Sequence, residues 1–99
     1  MVPADAVSTR GAMLEYDRMS ADHSSTYRLC GECHSRLYST TTRRPGIATV
    51  RAGTLDRSEE LECVAHIFTA SKQGWFPLPE GAPAFPDMPP PEAIKAIWG

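Results

Sequence analysis

The sequence has 99 residues, enough for one small domain, and its 10 basic and 12 acidic residues give a net charge of −2. This balance provides no electrostatic footprint for nucleic acid, so we expect no nucleic-acid partner. No apolar run approaches the roughly 20 residues of a membrane-spanning helix, and residues 1–11 hold no apolar segment of a secretory signal. We therefore expect a cytoplasmic protein with no membrane partner, whose three cysteines are reduced.

The first part of the chain predicts a hairpin after a mobile start. Residues 1–11 are small and polar, and we interpret them as a flexible N-terminus that leaves residues 12–99 for a single domain. Apolar residues alternate in segments 12–16 and 26–29, which is the pattern of half-buried β-strands. The two segments predict a hairpin that ends at Cys30.

Three further strands are predicted from β-branched and alternating residues. Segments 36–42 and 47–51 lie on either side of Pro45-Gly46, a strong turn signal. Segment 63–69 has the clearest alternation in the chain and predicts its best strand. The composition therefore favours an all-β domain.

The last quarter of the chain predicts a surface loop followed by a helix. Residues 77–91 hold seven of the nine prolines, which excludes an inner strand and favours an extended loop. Residues 91–98 predict a short helix, because proline suits the first turn, Glu92 complements the helix dipole and Gly99 can cap the end. One apolar stripe, expected to pack on the sheet, consists of Ala93, Ile94, Ile97 and Trp98.

The main chemical feature is the pair of cysteines in Cys30-Gly31-Glu32-Cys33. Two thiolates on one tight turn can bind the same ion, and a glycine permits that turn, so we predict Cys30 and Cys33 as zinc ligands. A closed structural zinc site needs four ligands. A second copy of the chain or Cys63 with one histidine could complete it, or the pair could be inert. The histidines are His23, His34 and His66.

Two other functions use the same residues. A redox-active Cys-x-x-Cys normally lies at the N-terminus of a helix, whereas the residues after Cys33 are β-prone. The run from Cys30 to His34 also matches the Cys-x-x-Cys-His pattern of c-type haem attachment, with Met88 as a conceivable second ligand. Haem attachment of this type requires export, which the expected cytoplasmic location does not provide.

From Gly11 onward the chain resembles the second half of a GFA domain, the family of the glutathione-dependent formaldehyde-activating enzymes and centromere protein V. No single motif is very specific, but their order and spacing together are. The motifs are Cys-x-x-Cys at 30–33, RAGTLD at 51–56, HIF at 66–68, SKQGW at 71–75 and LPEGAPAF at 78–85.

The resemblance implies a β-tent fold of small antiparallel sheets around a zinc knuckle, with a short C-terminal helix here. In such domains a structural zinc takes a Cys-x-Cys from the first half and the later Cys-x-x-Cys, and only the latter corresponds, at Cys30 and Cys33. No residue corresponds to the family's second, catalytic zinc cluster. His34 stands where a glycine is usual after the knuckle.

The resemblance further implies a zinc protein related to carbon–sulfur lyases that act on glutathione–aldehyde adducts. Glutathione or such an adduct is the expected small-molecule partner, and the catalytic zinc half is missing from this sequence. A second copy or a partner chain would then supply the missing ligands. The alternative is a non-catalytic zinc-binding or protein-interaction module, whose exposed strand edge pairs with another chain.

Overall fold

One five-stranded antiparallel sheet makes up most of the first part of the protein in a computed structural model, which describes residues 1–98. The chain divides into two compact units, Met1–Glu59 and Glu60–Gly99, and the sheet belongs to the first. Its strands are β1 (Val2–Pro3), β2 (Met13–Met19), β3 (Ser24–Cys30), β4 (Arg36–Thr41) and β5 (Ile47–Val50). The predicted all-β class is therefore confirmed.

The spatial order of the sheet is β1-β5-β4-β3-β2, so all neighbours except β1 and β5 are joined by short turns. Val2 lies opposite Ala48, and Pro3 lies opposite Ile47. Proline has no N–H to donate to a ladder, which makes an outer strand the suitable place for Pro3. Ala48 is fully buried in the strand between β1 and β4. Flexibility of residues 1–11 in solution stays a prediction.

The predicted hairpin is confirmed and is longer than the sequence indicates. Strands β2 and β3 pair without interruption from Met13 opposite Cys30 to Met19 opposite Ser24. The turn is closed by a hydrogen bond from the Ser20 N–H to the His23 carbonyl, at 2.8 Å.

A charged cluster joins this turn to the β4–β5 turn. The Asp22 carboxylate accepts hydrogen bonds from His23 Nδ1 at 2.8 Å and from the Arg43 guanidinium at 3.0 Å. These two partners, His23 first, lower the pKa of Asp22 below its ordinary value. The cluster lies at the end of the sheet opposite to the β3–β4 turn.

One face of the sheet is held together by polar cross-strand contacts around Arg28. Its guanidinium lies 3.4 Å from a Glu15 oxygen, donates to Thr40 Oγ1 at 3.2 Å and stacks 5.2 Å from the centre of the Tyr38 ring. Cross-strand pairs of this kind each contribute roughly 0.2–1 kcal/mol. A polar network therefore takes much of the place that an apolar layer would have.

The opposite face carries an aromatic cluster. The rings of Tyr16 and Tyr27 are 6.2 Å apart, and the Arg36 guanidinium lies 4.6 Å from the centre of the Tyr27 ring. Arg36 reaches this face because the β3–β4 register shifts between Arg28 and Leu29, which places Arg36 opposite Leu29. The bulge thus gives each face its own stacked arginine–tyrosine pair.

In the second unit, the helix is confirmed and one predicted strand is wrong. Helix α1 spans Pro91–Trp98, and the four residues of its predicted apolar stripe are half-buried. Packing of this stripe on the sheet stays a prediction, and the predicted cap at Gly99 lies outside the described residues. Among residues 1–98, no helix has the length and apolar character needed to cross a membrane.

Segment 63–69 forms a single parallel bridge, between His66 and Ala84, in place of the predicted strand. The His66 N–H donates to the Pro83 carbonyl at 2.8 Å, and the His66 carbonyl accepts from the Phe85 N–H at 2.8 Å. Pro83 has no N–H to donate, so the ladder cannot continue on the N-terminal side of the bridge. On the other side Phe68 adopts a left-handed backbone conformation, with φ of 55°, which ends the extended segment. Residues 77–90 form no helix and no strand beyond this bridge, in agreement with the predicted loop.

Glycine at position 31 is needed for space, which a substitution can test. A Cβ at Gly31 would lie 2.9 Å from both the Cβ and the carbonyl oxygen of Ala12, whereas a Cβ at Gly53 would meet nothing within 4 Å. We expect Gly31→Ala to lower the free energy of unfolding by about 1–3 kcal/mol, and Gly53→Ala to leave it unchanged or raise it by up to about 1 kcal/mol. Urea denaturation followed by circular dichroism measures both. Equal stability of the two variants would contradict the close packing at Gly31.

Candidate metal centre

The predicted zinc ligands lie on the turn that joins β3 to β4. Cys30 is the last residue of β3, and Cys33 lies in the turn. Two backbone hydrogen bonds close this turn, from the Cys30 N–H to the Ser35 carbonyl and from the His34 N–H to the Cys30 carbonyl, each 2.9 Å. We call residues Cys30–Cys33 with the closing residues His34 and Ser35 the knuckle. Its two thiols are therefore held on one short, hydrogen-bonded loop.

A hydrogen bond from Gly31 connects the knuckle to the start of the neighbouring strand. The Gly31 N–H donates to the Ala12 carbonyl at 2.9 Å, directly before β2 begins. The φ angle of Gly31 is not positive, so the sequence-based reason for a glycine, conformational freedom, does not apply here. The reason is the close approach to Ala12.

The left-handed conformation of the knuckle falls on His34, with φ of 63°. A side chain in this region costs roughly 1–2 kcal/mol relative to glycine. This cost explains physically why a glycine is usual at this position in the domains that the sequence resembles. His34 shows that the loop keeps its conformation without one.

Both thiols have hydrogen-bond partners. Cys30 Sγ accepts from the Glu32 N–H at 3.4 Å, and Cys33 Sγ lies 3.3 Å from the Ser35 hydroxyl oxygen. The pKa of Cys33 is lowered, first by the Ser35 side chain, then by its backbone and by the Cys30 side chain. The thiolate is the form that binds metal. Cys33 is exposed and Cys30 half-buried, so an ion can reach the pair.

This donor set fits half of a structural zinc site. Paired thiolates on one turn are typical zinc ligands, and a closed site takes four. Within residues 1–98, no group of three or more His, Cys, Asp and Glu side chains is arranged to hold a metal. The knuckle therefore offers two ligands.

Cys63 has a different neighbourhood. Its Sγ donates to the Ala65 carbonyl at 3.4 Å and lies 3.7 Å from Nδ1 and 3.9 Å from Nε2 of His66. The nearly equal distances show that neither ring nitrogen points its lone pair directly at the sulfur. An ion bound in the ring plane at one nitrogen would hold the sulfur farther from the other. Cys63 and His66 are in contact, but they are not oriented as a chelating pair.

The surroundings of the knuckle also bear on the redox function considered from the sequence. Strand β4 begins at Arg36, immediately after the knuckle, so no helix begins at the two thiols. Helix N-termini are what lower thiol pKa values in many redox-active Cys-x-x-Cys motifs. Here the lowered pKa of Cys33 comes from Ser35 instead.

Removing the strain at His34 should stabilise the fold. We expect His34→Gly to raise the free energy of unfolding by roughly 1 kcal/mol, because glycine adopts positive φ without the steric cost. Ser35→Gly is the matched control, since Ser35 has no positive φ and gains nothing from the exchange. A His34→Gly variant less stable than the parent would show that the His34 side chain makes a favourable contact that outweighs the strain.

Removing the Ser35 hydroxyl should raise the pH at which Cys33 ionises. The hydroxyl can donate to the thiolate once the thiol proton is lost, and it is the largest cause of the lowered Cys33 pKa. The measurement is the thiolate absorbance during a pH titration, in a Cys30→Ser, Cys63→Ser background that leaves one thiol. Ser39→Ala in β4 is the control, and an unchanged midpoint in Ser35→Ala would contradict this role of the hydroxyl.

Comparison with known proteins identifies the family. The sequence profile of the glutathione-dependent formaldehyde-activating enzymes (GFA) matches residues 1–71. Searches of curated proteins and of solved structures gave no match. The matched residues include all five strands and the knuckle, and they begin before Gly11, where the resemblance drawn from the sequence motifs begins. Because the profile covers well over half of the sequence, the chain belongs to the GFA family.

Proposed function

We propose that the chain is a cytoplasmic zinc-binding GFA protein in which Cys30 and Cys33 supply two of the four ligands of a structural zinc. The observation that carries this proposal is the knuckle itself. Its loop is closed by hydrogen bonds at both ends, and each sulfur lies beside a hydrogen-bonding partner, Glu32 N–H or the Ser35 hydroxyl. A bound zinc would link the β3–β4 turn to whatever supplies the remaining ligands and would add its binding energy to folding.

The two remaining ligands come from a second copy of the chain or from a partner chain. Two knuckles from two copies provide four thiolates, which is a complete tetrahedral set. The sulfur of Cys33 is exposed, so it is accessible to a second molecule. The charge of four thiolates on one zinc is accepted in many structural sites, especially where backbone N–H groups donate to the sulfurs, as Glu32 does here.

The catalytic role is proposed to be incomplete in this chain. A carbon–sulfur lyase of this kind needs a zinc with an open position to polarise the carbonyl or thiohemiacetal of a glutathione–aldehyde adduct. Cys63 is the one cysteine in the sequence outside the knuckle, and its nearest donor, His66, is not oriented for chelation. Glutathione or its adduct would then react only where another chain supplies a catalytic zinc.

The alternative is a non-catalytic zinc-binding or protein-interaction module. The exposed outer strand β2 favours it, because such an edge can pair with another chain. Both hypotheses expect no turnover of the formaldehyde–glutathione adduct by the isolated, zinc-loaded chain. Activity that follows zinc content would contradict the non-catalytic alternative and the proposed incompleteness together.

Metal binding gives the direct test of the proposed site. We expect native mass spectrometry of the zinc-loaded protein to show one zinc per two chains, because each knuckle supplies two ligands. Cys33→Ser should abolish the zinc-containing species, and the matched control Cys63→Ser should retain it. Cobalt substitution provides a second readout, since the visible absorption reports tetrahedral thiolate ligation. Metal retained in Cys33→Ser but lost in Cys63→Ser would overturn the assignment of the ligands.

A further inference from the structure

Strand β2 forms an open edge of the sheet. It pairs with β3 alone, and six of its seven residues are exposed. Natural edge strands are commonly short or carry charges, proline or a bulge that prevents further pairing. The segment Met13–Met19 has no proline and no bulge, and its pairing with β3 has no register shift. Its charged residues, Glu15, Asp17 and Arg18, therefore decide which strands the edge accepts.

The phase of the ladder shows which backbone groups face the open side. Gly31 N–H donates to the Ala12 carbonyl and Ser20 N–H to the His23 carbonyl, which fixes the even-numbered residues as those bonded to β3. Alternation then directs the N–H and carbonyl groups of the odd-numbered residues away from β3. The residues whose backbone groups face the open edge are Met13, Glu15, Asp17 and Met19.

The side chains of β2 divide into a mainly apolar face and an acidic face. Leu14 and Tyr16 lie on one face with Arg18, and they are 47% and 57% exposed. Glu15 and Asp17 lie on the other, where Glu15 contacts Arg28 and Asp17 accepts from Thr26 Oγ1 at 2.7 Å. The Glu15 side chain is nonetheless 62% exposed, so its charge is still available to an incoming strand.

A second copy of β2 does not suit this edge. In a symmetric antiparallel pair, the registers with the greatest overlap are centred on residues 15, 16 or 17 of both copies. These registers place Glu15 opposite Glu15, Glu15 opposite Asp17, or Asp17 opposite Asp17. Like charges directly opposite each other destabilise a sheet. The occupant is therefore a strand of different sequence, with charge complementary to these two carboxylates.

We propose that the β2 edge binds an extended segment of another polypeptide as a sixth strand. The segment carries lysine or arginine at two positions two residues apart, facing Glu15 and Asp17, and apolar residues at the alternate positions, facing Leu14 and Tyr16. Backbone hydrogen bonds to the odd-numbered residues provide affinity, and the alternating side chains provide selectivity. This binding is independent of the proposed zinc, because neither carboxylate belongs to the knuckle.

The test uses a fluorescent synthetic peptide in which lysine and valine alternate. Fluorescence anisotropy with the full chain should show saturable binding. A peptide in which glutamate replaces lysine should bind more weakly, and so should a lysine peptide whose backbone is N-methylated at alternate residues. The double variant Glu15→Lys, Asp17→Lys should weaken binding about tenfold or more, since two cross-strand attractions become repulsions. Glu80→Lys, in the second unit, is the matched control and should bind as the parent does.

A proline substitution distinguishes backbone pairing from simple charge attraction. Glu15→Pro removes an outward N–H without removing a bond to β3, so it should keep the sheet and lose the peptide. Should this variant fail to fold, the comparison of the N-methylated with the unmodified peptide still decides the question. Equal binding of the N-methylated and unmodified peptides would overturn strand addition. A dimer of the parent chain that Glu15→Pro abolishes would assign the edge to a second copy and overturn the proposal as well.

Discussion

The hydrogen bond from the Gly31 N–H to the Ala12 carbonyl is the contact that fixes the cysteine turn to the sheet. Because Cys30 is both the last residue of β3 and the first thiol, the register of β3 with β2 also sets the position of its sulfur. The contact leaves no room for a side chain at position 31. The conformation of the knuckle therefore depends on the sheet. A shift of the β2–β3 register by one residue would turn Cys30 to the other face.

Much of the sheet could be predicted from the sequence because strands β2 to β5 pair with their neighbours along the chain. Two of the strands alternate in polarity, two are rich in β-branched residues, and turn residues such as Pro45-Gly46 separate the latter two. Segment 63–69 alternates clearly, yet its partner lies in the proline-rich loop, where Pro83 cannot donate, and Phe68 within the segment adopts a left-handed conformation. Alternation describes the faces of a strand but neither the hydrogen-bonding capacity of its partner nor the backbone angle of one residue, and that is why this prediction failed.

For the candidate site, too, part of the structure could be predicted from the sequence and part could not. The spacing of Cys30 and Cys33 predicts a shared turn, because that property depends on four consecutive residues. The contribution of Ser35 to the pKa of Cys33 could not be predicted, since it depends on the orientation of one hydroxyl. The unusual histidine after Cys33 was visible in the sequence, and the positive φ of His34 explains why it is unusual. The contact between Cys63 and His66 had only their spacing as a signal.

The cluster around Asp22 connects two turns of the sheet, at the end away from the knuckle. Its carboxylate form is favoured by His23 and Arg43, so this contribution is present above the ordinary pKa of an aspartate and is lost as the pH falls through the lowered value. The same strands thus end in two clusters of different chemistry, one sensitive to acid and the other to thiol-directed reagents. Acid below the ordinary pKa of an aspartate and a thiol-directed reagent would loosen opposite ends of the sheet, so amide exchange along β3 could tell which end had opened.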